Sequence, residues 1–405
     1  MNYLDEWYNS LQAFKWKNAL LNDPHFRNLE RIKNELAAFF PESDLTGTLQ
    51  KNHDNWLLHI LFDKQPNSIF ILNEVAELLK YYKSVPRNEA YHLKSPDGKI
   101  NYKGLPEKLF ELHINYLLRS VGLIPEIGEH YIVNGNSKEI DILLKFGDQE
   151  FNVEVTKYYD AFSEELLTLT TDIVWNLQKI PVKKTLTLDE IFSGYIGFKK
   201  RDESVIKKNK QLFNDGTKSF IHGYRSVKNN TIMHPAKKET DDYVFHIEPT
   251  FTNNYETEYD RILKDLPGFI KFRIAADLKT NTTIATIRAS TKSSVEDGNR
   301  RLIKKIKEKL NQHKNYQGPR IIFVAIEQVF SSFNNNRAIP IRQNDVDAGA
   351  IHQAIRGKAF VVLLFKELTI NGISYQKMIL GHGLEYDDLF KVLLKLNPAI
   401  RYMPN

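Results

Sequence analysis

Asp141 and Glu154 are the residues whose types and spacing point most directly to chemistry. The segment KEIDILLKFGDQEFNVEVTKY reads as two strands joined at Gly147-Asp148, a two-residue turn with Gly first. In that register Phe146 faces Gln149, Leu144 faces Phe151, Ile142 faces Val153 and Ile140 faces Val155. Three of these pairs put apolar side chains together on one face, so Asp141 falls directly opposite Glu154 on the other. Side chains so opposed have Cβ atoms roughly 5 Å apart, where like charges repel. The pair needs a proton, a basic neighbour or a cation, and a hard divalent cation such as Mg²⁺ suits carboxylate oxygens. The plainer alternative is a hydrated hairpin face on which both acids meet only water.

The elements around the pair follow from periodicity and breakers. PEKLFELHINYLLRSV (106–121) predicts a helix entered at Pro106 and stopped by Gly122. EHYIVNG, KEIDILLKF and EFNVEVTKY then predict three strands separated by Gly- or Asn-containing turns. A basic helix, RRLIKKIKEKLNQH, and a buried-type strand, RIIFVAIE, come near the end.

A helix closed by Gly, followed by strands carrying Asp and then Glu, resembles the PD-(D/E)XK nuclease superfamily. The resemblance rests on FELHINYLLRSVGL and EIDILLKFGDQEFNVEVTK, about fifty contiguous residues, and on the late helix and strand. It implies an α/β fold: a restriction-endonuclease-like mixed sheet flanked by helices, with a helical N-terminal region and a large α+β insertion. Residues 1–100 would be the helical region and 101–405 the nuclease core, interrupted at about 160–295. It further implies that Asp141 and Glu154 bind Mg²⁺, with Mn²⁺ as a substitute, and that an acid on the preceding helix, Glu111, adds a ligand. The activity implied is metal-dependent phosphodiester hydrolysis, DNA favoured, in a setting such as restriction or antiviral defence.

The pattern departs from the superfamily at one place. Two residues after Glu154, where a catalytic lysine is expected, stands Thr156, and the lysine comes next as Lys157. Strand alternation places Thr156 on the face of Glu154 and Lys157 on the opposite one. Three routes stay open: a bulge re-aims Lys157; Lys305 or Lys309 reaches in from the basic helix; or the core is catalytically weak or dead. Lys304, Lys305 and Lys309 are also the candidates for contact with nucleic-acid phosphates, against the alternative of an ordinary wetted helix face.

The bulk properties agree without deciding. The chain has 405 residues, net charge +6 and no cysteine, which excludes disulfides, thiolate metal sites and a cysteine nucleophile. No apolar run approaches the ~18 residues of a membrane span, and the start does not read as a secretory signal; a cytoplasmic location fits. FRNLERIKNELAAFF (26–40) and IFILNEVAELLKYYK (69–83) predict helices. That region could dock a protein partner or a second copy.

Other signals are weaker. Asp277-Leu278-Lys279 is a literal D-x-K, better explained as a hairpin end. His246 and Glu248 alternate on one predicted strand but lack a second histidine at zinc spacing. His382 in GHGLEYDD reads as a turn, and no phosphate-binding glycine loop is present. The rival function is a catalytically weak or inactive nuclease-fold protein that binds nucleic acid or docks a partner.

Overall fold

The computed structural model describes residues 2–15, 28–46, 55–63, 66–85, 93–94, 98–102, 104–127, 130–133, 136–139, 141–158, 161–178, 191–226, 236–250, 255–277, 282–291, 295–312, 318–327, 341–356, 359–369, 372–381 and 386–399. The chain forms two compact units. Residues 1–158, 295–328 and 341–405 make the first, and 159–294 with 329–340 the second.

The first unit begins with helices α1 (Tyr3–Lys15), α2 (Leu29–Phe39), α3 (Trp56–Asp63) and α4 (Pro66–Ser84). Trp7, Leu11, Leu29, Ile32, Leu36, Leu57 and Leu72 are buried among them, and the Trp7 indole donates to Ser68 Oγ at 2.7 Å. Helix α5 (Leu105–Ser120) has Pro106 in its first turn. It ends where Gly122 takes a positive φ of 84°, a conformation without steric penalty only for glycine.

Strands β1 (Ile124–Ile127), β2 (His130–Val133), β3 (Asn136–Glu139), β4 (Ile142–Phe146) and β5 (Gln149–Tyr158) follow. KEIDILLKF, expected as one strand, is divided at Asp141. Its first part, β3, pairs with β2 in a small separate sheet, and its second, β4, pairs with β1 and β5. Strand β1, which carries Pro125 inside it, was not among the expected strands. Proline is tolerated on an edge strand, and β1 is the edge, pairing only with β4.

The second unit contains α6 (Ala161–Gln178), β6 (Ile191–Phe198), α7 (Glu203–Ser226), β7 (Ala236–Glu239), β8 (Tyr243–Thr250), α8 (Tyr255–Leu263), β9 (Gly268–Asp277) and β10 (Thr282–Thr291). Its sheet is antiparallel throughout, in the order β10-β9-β6-β8-β7. Phe162, Leu166, Phe198, Phe213, Phe245 and Phe272 belong to its core. The lysine-rich run expected as a solvated face is largely α7, which buries Ile206 and Phe213 while Lys207 and Lys208 are exposed.

The chain returns to the first unit with α9 (Val295–Gln312), β11 (Arg320–Glu327), α10 (Ala348–Ile355), β12 (Ala359–Thr369), β13 (Gly372–Leu380) and α11 (Asp387–Leu394). The main sheet runs β1-β4-β5-β11-β12-β13, with β5, β11 and β12 parallel at its centre and the outer pairs antiparallel. Central parallel strands are covered on both faces and read as continuous apolar runs, as RIIFVAIE does. Leu302 and Ile306 of α9 pack with Ile322, Val324, Val361 and Leu363 on one face. The protein is therefore mixed α/β, with one six-stranded mixed sheet, one five-stranded antiparallel sheet and the two-stranded β2-β3 pair among the described residues. Among the described residues no helix is long and apolar enough to cross a membrane.

Candidate active site

The hairpin forms in the expected register. Ile142 pairs with Val153, Leu144 with Phe151 and Phe146 with Gln149. Gly147 supplies the positive φ, 59°, that a turn with Gly first requires. Ile140 lies outside the described residues. Asp141 stands just before β4 and reaches across, so that its Oδ2 accepts the Val155 backbone N–H at 2.7 Å. That bond fixes the carboxylate beside β5, where Glu154 is fully buried.

The third member comes from α9. Lys309 Nζ lies 3.3 Å from Asp141 Oδ2 and 3.1 Å from Glu154 Oε2, bridging the two carboxylates. Its helix is tied down near both ends. The Tyr158 hydroxyl of β5 donates to the Gly298 carbonyl at 3.0 Å, and the Arg320 guanidinium of β11 donates to the Leu310 carbonyl. Asn299 adds a link to the turn before α10, donating to the Asp345 carbonyl and accepting from the Asp347 N–H, each at 2.7 Å. Lys309 is thus delivered by a helix whose backbone is held to the same sheet.

The electrostatics follow from burial and proximity. Loss of water, then the nearby Asp141 charge, push the Glu154 carboxyl up to about 7, against the lowering effect of Lys309. Burial disfavours the Lys309 ammonium, but Asp141 and Glu154 outweigh it and raise its pKa above the ordinary value. With Glu154 ionised, two carboxylates and one ammonium leave one negative charge in a half-buried site.

The other candidates lie elsewhere. Thr156 shares the Glu154 face and is buried beside Val324 of β11. Lys157 is not brought to the pair, and no bulge re-aims it, since β5 keeps an unbroken register with β11 from Asn152 to Tyr158. It points to the opposite face, 3.1 Å from Glu327 Oε2 and 5.9 Å from the Phe110 ring centroid on α5. Glu111 is also on α5 and is bonded to Lys108 at 2.8 Å. Among the described residues no group of three or more His, Asp or Glu is placed to hold a metal. The three-carboxylate set with Glu111 is therefore not assembled, because α5 covers the Lys157 face while Glu154 faces α9. Lys304 is exposed, 4.0 Å from Glu308, and Lys305 is half-buried one turn before Lys309.

Sequence reasoning missed what Lys157 does. Glu327, Lys366 and Tyr375 lie in one transverse row across β11, β12 and β13, Lys157 reaches Glu327 diagonally from β5, where it pairs with Ala325, and Glu74 of α4 and His113 of α5 meet them. Lys366 pairs with Glu74, and Tyr375 donates to the same carboxylate. Burial would raise Glu327, but Lys157 and Lys366 hold it down to about 2; burial, helped by Lys366 and opposed by Glu74, drives His113 down to about 4. No local motif announces this cluster, because its members come from six elements.

In the second unit His246 and Glu248 do share one face of β8, 3.3 Å apart. Tyr259 of α8 donates to Glu248 at 2.7 Å and sits 3.1 Å from Ser193 Oγ, a polar chain beneath α8 rather than a zinc site. Asp277 closes β9, while Leu278, Lys279 and His382 lie outside the described residues. Comparison of the chain with protein-family models, with curated proteins and with solved structures finds no match.

Proposed function

We propose that the protein is a metal-dependent nuclease that hydrolyses phosphodiester bonds, DNA favoured, on a restriction-endonuclease-like core. The observation that carries this is Lys309 Nζ within 3.3 Å of a carboxylate oxygen of both Asp141 and Glu154. A lysine beside two acids is the donor set the chemistry requires, supplied here from α9 in place of the position held by Thr156. The order of elements supports the same reading: helix α5, the antiparallel run β1-β4-β5, then helix α9 and parallel strand β11.

The residues fit a hard divalent cation, since two carboxylates with surplus negative charge are what Mg²⁺ takes when water and phosphate oxygens complete its shell. When bound, such an ion would polarise the scissile phosphate and lower the pKa of a water molecule. Asp141, fixed by the Val155 N–H, and Glu154 would hold it. Glu154 would also accept a hydrogen bond from the attacking water and so orient it. The Lys309 ammonium would stabilise the charge that develops on the phosphoryl oxygens. Lys305, one helical turn earlier, would contact a neighbouring phosphate.

The test is incubation with supercoiled plasmid, linear DNA and RNA in Mg²⁺ and in Mn²⁺, with Asp141→Asn, Glu154→Gln and Lys309→Met in parallel. Cleavage lost in all three variants is expected. Cleavage that survives them assigns the activity to another site or a contaminant. A second reading, binding without turnover, is favoured by Thr156 at the lysine position and by the small number of carboxylates; it predicts retention of nucleic acid with no cutting in either metal.

A further inference from the structure

Three features bear on how a cation reaches the pair. The Lys309 ammonium touches one oxygen of each carboxylate and so stands between the two groups that would hold a Mg²⁺ ion. Ammonium and divalent ion cannot share that space. Next, Asp141 and Glu154 are joined by no third acid among the described residues, and Glu111 is engaged by Lys108. Mg²⁺ demands near-octahedral oxygen coordination, so much of its shell must come from water and from substrate. Finally, the helix carrying Lys309 is fixed by Tyr158 and Arg320, whereas the lysine side chain is a flexible four-carbon stem. The ammonium can leave the pair without any backbone shift.

We infer that Lys309 is a resident counter-ion that bars divalent-cation loading of Asp141 and Glu154 until a phosphodiester backbone draws the ammonium away. The inference rests on the nuclease reading and adds its regulation. One phosphate answers both deficits: it offers a negative partner to the departing ammonium and oxygens to the incoming ion. Arg301 and Lys305, half-buried at four-residue steps before Lys309, place cations on the same helix edge at intervals of about 6 Å. Metal and nucleic acid then bind cooperatively, and each must tighten the other by the same factor. The free protein stays unloaded at ordinary metal concentrations, which restricts its chemistry to the complex.

The test is titration of Mn²⁺, followed by the electron paramagnetic resonance signal of the free ion, at a pH well above the Glu154 range. Wild type, Lys309→Gln and Lys309→Arg are compared alone and with phosphorothioate DNA and RNA duplexes, with folding checked by circular dichroism. Wild type is expected to bind weakly alone and about tenfold or more tightly with a duplex. Lys309→Gln should bind tightly alone and gain little, and Lys309→Arg should follow wild type. Equal affinity of wild type and Lys309→Gln without nucleic acid overturns the inference and leaves the nuclease reading standing. Absence of any Mn²⁺ site sensitive to Asp141→Asn and Glu154→Gln, in every background, overturns both.

Discussion

Glu154 and Lys157, three residues apart on β5, face opposite sides of the sheet: the first meets Lys309, the second Glu327. The acid and the lysine that stand closest in sequence therefore belong to different clusters. Lys309→Met is expected to lower cleavage by roughly 10²–10³-fold, the usual loss on removing one charge-stabilising donor. Lys157→Met should instead cost stability, by about 1–3 kcal/mol, because it removes the nearer of the two lysines beside half-buried Glu327, with the rate per folded molecule nearly unchanged. Denaturant unfolding beside single-turnover cleavage separates the two; a Lys157→Met protein that is stable but inactive would reverse the assignment.

The metal-free protein should show a second consequence of burying Glu154. Its folded pKa, about 7, lies above the ordinary glutamate value of 4.5, so between those values the folded state binds more protons than the unfolded. This group therefore adds stability as pH falls from about 7 to 4.5, by up to about 1.4 kcal/mol per pH unit. Glu154→Gln should remove that contribution. Urea unfolding across this window should show the variant losing stability toward acid more steeply than wild type.

The charged row on the other face has the opposite sign. Glu327 is held down to about 2 and His113 to about 4 in the folded state, so the unfolded chain takes up protons first in both cases. Stability from His113 is lost as pH falls from about 6.5 to 4, and that from Glu327 from about 4.5 to 2. Acid unfolding is expected to shift to lower pH in His113→Phe, provided the ring is accommodated, as a melting profile at neutral pH would verify. An unchanged acid midpoint in a well-folded His113→Phe protein counts against this account.

Arg320 acts through another residue. Its guanidinium holds the Leu310 carbonyl, next to Lys309, while its backbone sits at the start of β11. Arg320→Met should let the last turn of α9 fray and slow cleavage by about tenfold, within the range for misplaced catalytic groups. Arg320→Lys should recover part of the loss, and the pH dependence of the rate should broaden in the Met variant alone.

Glu111→Gln is expected to leave cleavage and Mn²⁺ affinity unchanged, since Lys108 rather than Asp141 or Glu154 is its partner. A marked loss of metal affinity would bring α5 back into the site.

Much of the site was legible because hairpin register is local. Gly147 and the alternation of Ile142, Leu144, Phe151 and Val153 suffice to place Asp141 against Glu154. Lys309 was readable in part. It stands seven residues after Leu302 and three after Ile306, on the buried stripe of α9, where a lysine is out of place unless it has a partner. What one sequence could not choose was between Lys157, Lys305 and Lys309, because that choice depends on how α9 docks. Strand β1, with Pro125 inside it, was not expected. The cluster from Lys157 to Tyr375 was invisible, since it is defined by pairings among β5, β11, β12 and β13 and by how α4 and α5 pack on them.

The Tyr158–Gly298 hydrogen bond spans the point where the chain departs for residues 159–294 and the point where it returns. During synthesis, Asp141 and Glu154 leave the ribosome long before Lys309 does. Until the whole excursion has been translated, the two acids have neither their bridging ammonium nor the helix that shields Glu154. The nascent hairpin thus lacks both the partner and the cover that Glu154 has in the finished fold. Commitment of the sheet to its final packing is therefore a late, long-range event, since α9 and the strands β11, β12 and β13 all follow that excursion in the chain.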